Sequence, residues 1–151
     1  EPGKKSFARL QTRLGGMDRV DLFNLAAAER TGEIVFNTHG GRNHAAVSAS
    51  GRDQMSHARI ERLPCDSVDN LLGGAAATII KLDVEGCEAA AIEGARRTIE
   101  RFRPKIQAAC YHRVEDYFAL PLQVAAIRND YRLYMRRFRG VPAWDVNFYF
   151  I

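Results

Sequence analysis

The chain is poor in cysteine, has a single tryptophan, and contains no long hydrophobic run. Its three cysteines, Cys65, Cys87 and Cys110, are odd in number and show no C-x-x-C spacing. That pattern supports neither a disulfide framework nor a cysteine zinc site, and it points to a reducing compartment, so the expected location is cytoplasmic. No apolar stretch approaches the ~20 residues that span a bilayer, and no membrane span is expected. Charge of one sign is not concentrated either. A net charge of +4 suits a solvated surface with arginines in ion pairs better than it argues for a polyanionic partner. Internal repeats and low-complexity tracts are also lacking. What remains is an ordinary globular composition, 46% hydrophobic and 26% charged, and at 151 residues the chain has room for one domain rather than two.

The most informative stretch is residues 78–88, Thr-Ile-Ile-Lys-Leu-Asp-Val-Glu-Gly-Cys-Glu. Ile79, Ile80, Leu82 and Val84 form a short aliphatic run that reads as a strand buried on both faces. After Gly86 the periodicity changes, and Ile92, Ala95, Ile99 and Phe102 recur at steps of three and four. A helix over residues 89–102 follows, ended by Pro104. Strand alternation would put Lys81, Asp83 and Glu85 on one side as the chain leaves the sheet. Ligands of open α/β sheets bind at that end of a parallel strand. A compensated structural ion pair, with Glu85 capping the next helix, explains the same residues equally well.

In chain order, residues 4–14 carry Phe7, Leu10 and Leu14 at helical spacing, with Gly15 and Gly16 as the stop. Residues 20–26 and 33–37 read as strands. Residues 38–58 form a long polar loop or lid holding His39, His44 and His57, whose spacing matches no metal-ligand pattern, so no metal site is expected. Residues 59–63 read as a strand, and Asp66 or Ser67 as the cap of a short helix running through Leu72. Residues 105–111 form another strand, ending at Tyr111 and His112. Residues 114–129 read as a helix broken or kinked at Pro121, with Leu122, Ala125, Ala126 and Val124 inward. Residues 131–138 and 146–151 are aromatic-rich strands whose short connection, residues 139–145, makes them antiparallel. The expected fold is α/β, a mostly parallel sheet covered on both faces and closed by a C-terminal antiparallel hairpin.

This order of elements resembles the second part of the Rossmann-like domain of S-adenosylmethionine-dependent methyltransferases. Residues 80–88, Ile-Lys-Leu-Asp-Val-Glu-Gly-Cys-Glu, resemble the signature of the FkbM methyltransferase family, with Cys87 where that family has a small alanine. Glu1-Pro2, Asn24-Leu25-Ala26 followed by Thr31-Gly32, residues 63–71, and Pro104 through His112 resemble its other conserved-type segments. The resemblance implies a methyltransferase with S-adenosylmethionine as cofactor and a small-molecule, glycan or lipid hydroxyl as acceptor. It assigns Glu1 to the cofactor ribose, Asn24, Leu25 and Ala26 to the adenine, and Asp83 to the neighbourhood of the sulfonium. His112 becomes the first candidate for the base, Asp83 and Glu85 the next, and Lys81 the group that neutralises them. The family's first strand and its Gly-rich turn are not in this chain. A partial domain, residues 1–151 of a longer polypeptide, is therefore expected, with a vacancy between residues 20–26 and residues 78–84.

Three other readings fit parts of the sequence. A hairpin carrying Arg132, Arg136, Arg137 and Arg139 with Tyr131, Tyr134 and Phe138 has the composition of a single-strand nucleic-acid binder. Alternation sends Arg136 and Arg137 to opposite faces, so nucleic acid is not the expected partner. A metal-dependent hydrolase would use Asp83 and Glu85 with a histidine of the long loop. A non-catalytic binding module of the same fold is the third.

Overall fold

The computed structural model describes residues 1–38, 59–137 and 145–151. The long loop with His39, His44 and His57, and Phe138, Arg139 and most of the hairpin connection, lie outside the described residues. The elements are α1 (Lys4–Leu14), β1 (Ala26–Ala27), β2 (Gly32–Thr38), β3 (Arg59–Asp66), α2 (Val68–Leu72), β4 (Ile79–Leu82), α3 (Glu88–Glu93), α4 (Arg96–Phe102), β5 (Lys105–Ala109), α5 (Asp116–Ile127), β6 (Leu133–Arg137) and β7 (Val146–Phe150).

Among the described residues the strands form two mixed sheets. In the first, of order β1-β3-β2, β1 runs parallel to β3 and β2 antiparallel. In the second, of order β4-β5-β7-β6, β4 and β5 are parallel and the β6–β7 hairpin is antiparallel, as its short connection requires. Among the described residues, β1 and β4 each have one edge with no strand beside it.

Alternation along the second sheet builds the core. Ile80 and Leu82 of β4, Ile106 and Ala108 of β5, and Phe148 and Phe150 of β7 point to one face, where Ile92, Ile99, Leu120 and Val124 of the helices meet them. The opposite face of β4 is open: Ile79 is 66% exposed and Lys81 is exposed too. β4 is thus buried on one face only, a correction to the sequence reading. An apolar run alone does not tell a central strand from an edge strand covered on one side.

Three further expectations change. Residues 20–25 do not form a strand; only Ala26 and Ala27 pair, with Cys65 and Asp66. Before them, the Asn24 side chain bonds the carbonyls of Glu1 and Pro2 instead of lying beside a ladder. In α5, Leu120 and Val124 are buried while Leu122 is 71% exposed and Ala125 and Ala126 face outward. The inward stripe is Asp116, Leu120 and Val124, and the helix continues through Pro121 without ending.

The third is the helix after β4, which is two helices, and the cause is a contact. A Cβ on Gly94 would lie 2.0 Å from the carbonyl oxygen of Ala28, beside β1. The Gly94 carbonyl accepts the Asp69 amide at 2.8 Å. In return, the Asp69 carboxylate accepts the amides of Arg97 at 3.0 Å and Thr98 at 2.8 Å and the Thr98 hydroxyl at 2.7 Å. α2 thereby caps α4 from outside, where Ala95 has no side chain able to do so.

Burial opposes ionisation of Asp69, but its bonds from Thr98 and Arg97 outweigh that and hold its pKa below the ordinary carboxylate value. Asp69→Ala is expected to cost about 2 kcal/mol at neutral pH. A lowered folded-state pKa means that this stability is complete above the unfolded-state value and is lost as pH falls through the folded one. Urea unfolding at neutral pH and in acid should show the gap between variant and wild type closing in acid.

Candidate functional site

Because β4 and β5 are parallel neighbours, their carboxyl ends leave the sheet side by side. The segments that follow, 83–88 and 110–113, therefore meet at one edge, where open α/β sheets place ligands. The first segment is a tight turn. Glu85 has φ 54° and Gly86 φ 93°. The left-handed region is unfavourable for a glutamate, so something must hold it there.

That something is Glu88. Its side chain is fully buried at the start of α3 and accepts the amides of Val84 and Gly86, both at 2.9 Å, one on each side of Glu85. The positive φ of Gly86 favours glycine, and a Cβ there would also press on the Arg113 side chain, 3.1 Å from its Nε. The same Glu88 carboxylate meets His112 Nδ1 at 2.9 Å. One buried carboxylate thus fixes both the turn after β4 and the ring after β5.

Around His112 the other carboxylates converge. Its Nε2 lies 3.3 Å from Glu85 Oε2 and 3.7 Å from Asp83 Oδ1. Asp83 also meets Lys81 Nζ at 3.7 Å and accepts the Tyr111 hydroxyl at 3.2 Å. Burial, then the charge of Asp83, pushes the Tyr111 phenol up to about 12, so it donates to Asp83 and does not ionise at neutral pH. Burial alone would lower the His112 pKa, but its bond to Glu88 and the charges of Glu88, Glu85 and Asp83 raise it above the ordinary value. Burial likewise opposes the charge on Glu88, and the bonds from His112 and Val84 hold it ionised, with its pKa lowered. The two shifts agree in direction: each group favours the charged form of the other. Close by, burial and the charge of Glu88 raise the pKa of Asp116, whose Oδ2 has no hydrogen-bond partner among the described residues.

The structure therefore brings together Lys81, Asp83, Glu85 and His112. Glu85 arrives through its left-handed turn, because strand geometry ends at Leu82. Glu88 and Tyr111 complete the cluster and were not among the sequence-predicted site residues. The remaining predicted residues form a second group: Asn24 joins the carbonyls of Glu1 and Pro2, and the Glu1 nitrogen reaches the carbonyls of Phe23 and Leu25 at 3.3 and 3.4 Å. Glu1 and Asn24 are exposed, and Ala26 is buried in β1.

In the basic hairpin, Arg136 and Arg137 are neighbours in β6 and so project to opposite faces. The Tyr131 hydroxyl bonds the Pro104 carbonyl at 2.6 Å, and its ring packs edge-on against Phe150 beneath Arg103. That ring belongs to the core packing and is not an open stacking platform.

Known proteins resemble this chain in sequence and fold. The family described as "Methyltransferase FkbM domain" matches residues 1–138. A "2-O-methyltransferase NoeI" of Sinorhizobium fredii is 27% identical over 118 residues, covering 68% of this chain and 49% of the relative. The chain thus spans about half the length of that curated relative. The crystal structure of methyltransferase FkbM from Methylobacillus flagellatus superposes on the whole chain with a TM-score of 0.71 at 25% identity, covering 35% of that structure. With the family's match running from the first residue through the carboxyl-end cluster into β6, the chain belongs to the FkbM methyltransferase family.

Proposed function

We propose that the protein transfers a methyl group from S-adenosylmethionine to a hydroxyl oxygen of a sugar, lipid or other small-molecule acceptor. The observation that carries this reading is the convergence of Asp83, Glu85 and His112 at the carboxyl ends of β4 and β5 in a chain of a methyltransferase family. The name of the Sinorhizobium relative, a 2-O-methyltransferase, supports oxygen as the atom methylated.

The residues present fit a sulfonium cofactor. The cluster is rich in carboxylates, and Asp83 and Glu85 are 41% and 36% exposed, accessible to a cationic ligand. In this reading Asp83 lies near the sulfonium, Glu1 accepts the ribose hydroxyls, and Asn24, Leu25 and Ala26 lie against the adenine. The cofactor supplies an electrophilic methyl group. The chain's own residues position the acceptor, stabilise charge and remove its proton.

The proton-accepting role falls to the accessible carboxylates, Asp83 first. His112, ranked first on sequence grounds, has Nδ1 engaged by Glu88 and faces Glu85 and Asp83 through Nε2, so it orients the two carboxylates. Lys81 balances Asp83 from the other side. The reading includes further strands of the same protein between the open edges of β1 and β4, completing the cofactor cradle. Localisation in the cytoplasm goes with it.

In the protein at its full natural length, Asp83→Ala and His112→Ala should each reduce transfer of a labelled methyl group about a hundredfold or more. Circular dichroism would check that each variant folds. Unchanged rates in folded variants would remove both residues from the mechanism.

A further inference from the structure

We propose that Asp83, Glu85 and His112 form a binding site for a divalent transition-metal ion such as manganese. The starting point is an atom that ought not to be alone. The His112 side chain is only 9% exposed, yet among the described residues Nε2 has no hydrogen-bond partner. Buried polar atoms nearly always have one. Nδ1 is taken by Glu88, so Nε2 is the nitrogen that remains. It faces Glu85 Oε2 at 3.3 Å and Asp83 Oδ1 at 3.7 Å, ion-pair separations without hydrogen-bond geometry.

An imidazole nitrogen and two carboxylate oxygens around one point are a donor set for first-row divalent ions. Imidazole favours them over magnesium and calcium, and carboxylates suit manganese. Ligand-type atoms of Asp83, Glu88 and His112 all lie within 4.8 Å of one another, and Glu85 joins them through Oε2, 3.3 Å from His112 Nε2. Opposite ligands of a small divalent ion stand about 4.2 Å apart, so modest rotations of exposed side chains would close the set.

Glu88 takes the outer position. It holds the far ring nitrogen, as carboxylates behind metal-bound histidines do, and makes the ring a stronger ligand. Its own oxygens are fixed by the Val84 and Gly86 amides, so the ring cannot easily swing away. Asp83 and Glu85 open to solvent and give an ion its way in.

No metal was expected from the sequence, because the ligands leave two different strands and share no ligand-type spacing. The histidine that a metal would need was sought among His39, His44 and His57. The structure offers His112 instead. The ion would hold the acceptor oxygen beside the two carboxylates. That role rests on the methyl-transfer reading, whereas the binding does not.

The test is calorimetric titration of manganese chloride into chelator-treated full-length protein, without methyl donor or acceptor, together with pulsed electron paramagnetic resonance. One ion per chain is expected, with nitrogen coupling from one imidazole. Glu85→Gln and Asp83→Asn should each weaken binding about tenfold or more, and Glu88→Gln by a comparable factor. His112→Gln should abolish the nitrogen coupling. Glu85→Gln lies in the exposed part of the site and is the variant least able to disturb the fold, which circular dichroism would check for each. No binding at about 1 mM manganese, the weak end of biological divalent sites, would overturn the proposal. So would binding unchanged in folded Glu85→Gln and His112→Gln. Manganese binding in a protein without methyl transfer would support the site while removing the catalytic reading.

Discussion

Gly94→Ala is expected to destabilise the protein by about 3 kcal/mol or more, far beyond what one methyl group costs at an ordinary position. The backbone is not the obstacle. Gly94 has φ −67°, ordinary right-handed helical geometry that alanine adopts better than glycine. The obstacle is space: the new Cβ would stand 2.0 Å from the Ala28 carbonyl oxygen and 3.0 Å from its carbon, with the Ser67 Cβ at 3.1 Å. None of these is the free end of a flexible side chain. To make room, α3 must move away from the end of β1, and that breaks the bond from the Asp69 amide to the Gly94 carbonyl. The cap that Asp69 places on α4 depends on the same approach. One methyl group would therefore undo a junction of three helices and a strand. Gly16→Ala is the control, because nothing lies within 4 Å of a Cβ there. It should change stability by no more than about 0.5 kcal/mol. Urea unfolding of both variants, read as midpoint and slope, checks the difference.

Gly94 also shows what was legible in the sequence and what was not. Ile92, Ala95 and Ile99 of the apolar stripe expected over residues 89–102 are buried, whereas Phe102, the last member of that stripe, is only half-buried. The break within it was invisible, because its cause is a carbonyl more than sixty positions away. Periodicity reports which residues face the core. It does not report which backbones touch. The same limit explains α5. Leu122, Ala125 and Ala126 are apolar enough to read as inward, but Asp116, Leu120 and Val124 form the buried stripe. A buried aspartate at its head is not something hydropathy would choose.

The candidate site was legible in outline. Lys81, Asp83, Glu85 and His112 were picked out by their places at the exits of two strands, and parallel pairing of β4 with β5 brings them together. Alternation was the wrong reason for Glu85, whose position comes from a left-handed turn. Glu88 was missed because a glutamate in the first turn of a helix has an ordinary explanation in the macrodipole. Only the structure shows that it points inward. Tyr111 was read as the end of a strand, and nothing in the local sequence aims its hydroxyl at Asp83. Alternation over residues 20–26 predicts a strand, but a strand also needs a partner that the sequence does not name, and only Ala26 and Ala27 have one.

Glu88→Ala is the second large effect, an expected loss of about 3–5 kcal/mol. The figure follows from what stays behind. With the carboxylate gone, the amides of Val84 and Gly86 lose their acceptor, and His112 loses the charge that faces Nδ1. These groups are part-buried, and an unpartnered donor that is fully buried costs roughly 1–3 kcal/mol. The turn itself would relax as well, since the two amides flank Glu85 and restrain its positive φ. Glu88→Gln should be milder, near half that loss. Its carbonyl can still serve the Val84 amide and the ring, while its amino group faces the Gly86 amide, donor against donor. The ordering alanine worse than glutamine, both worse than an exposed control such as Glu100→Gln, identifies Glu88 as the pin of the site. An alanine variant as stable as wild type would mean that the turn after β4 holds Glu85 and His112 in place unaided. Thermal unfolding distinguishes the two outcomes, and amide exchange at Val84 and Gly86 locates the change, because protection there depends on the carboxylate and not on any strand.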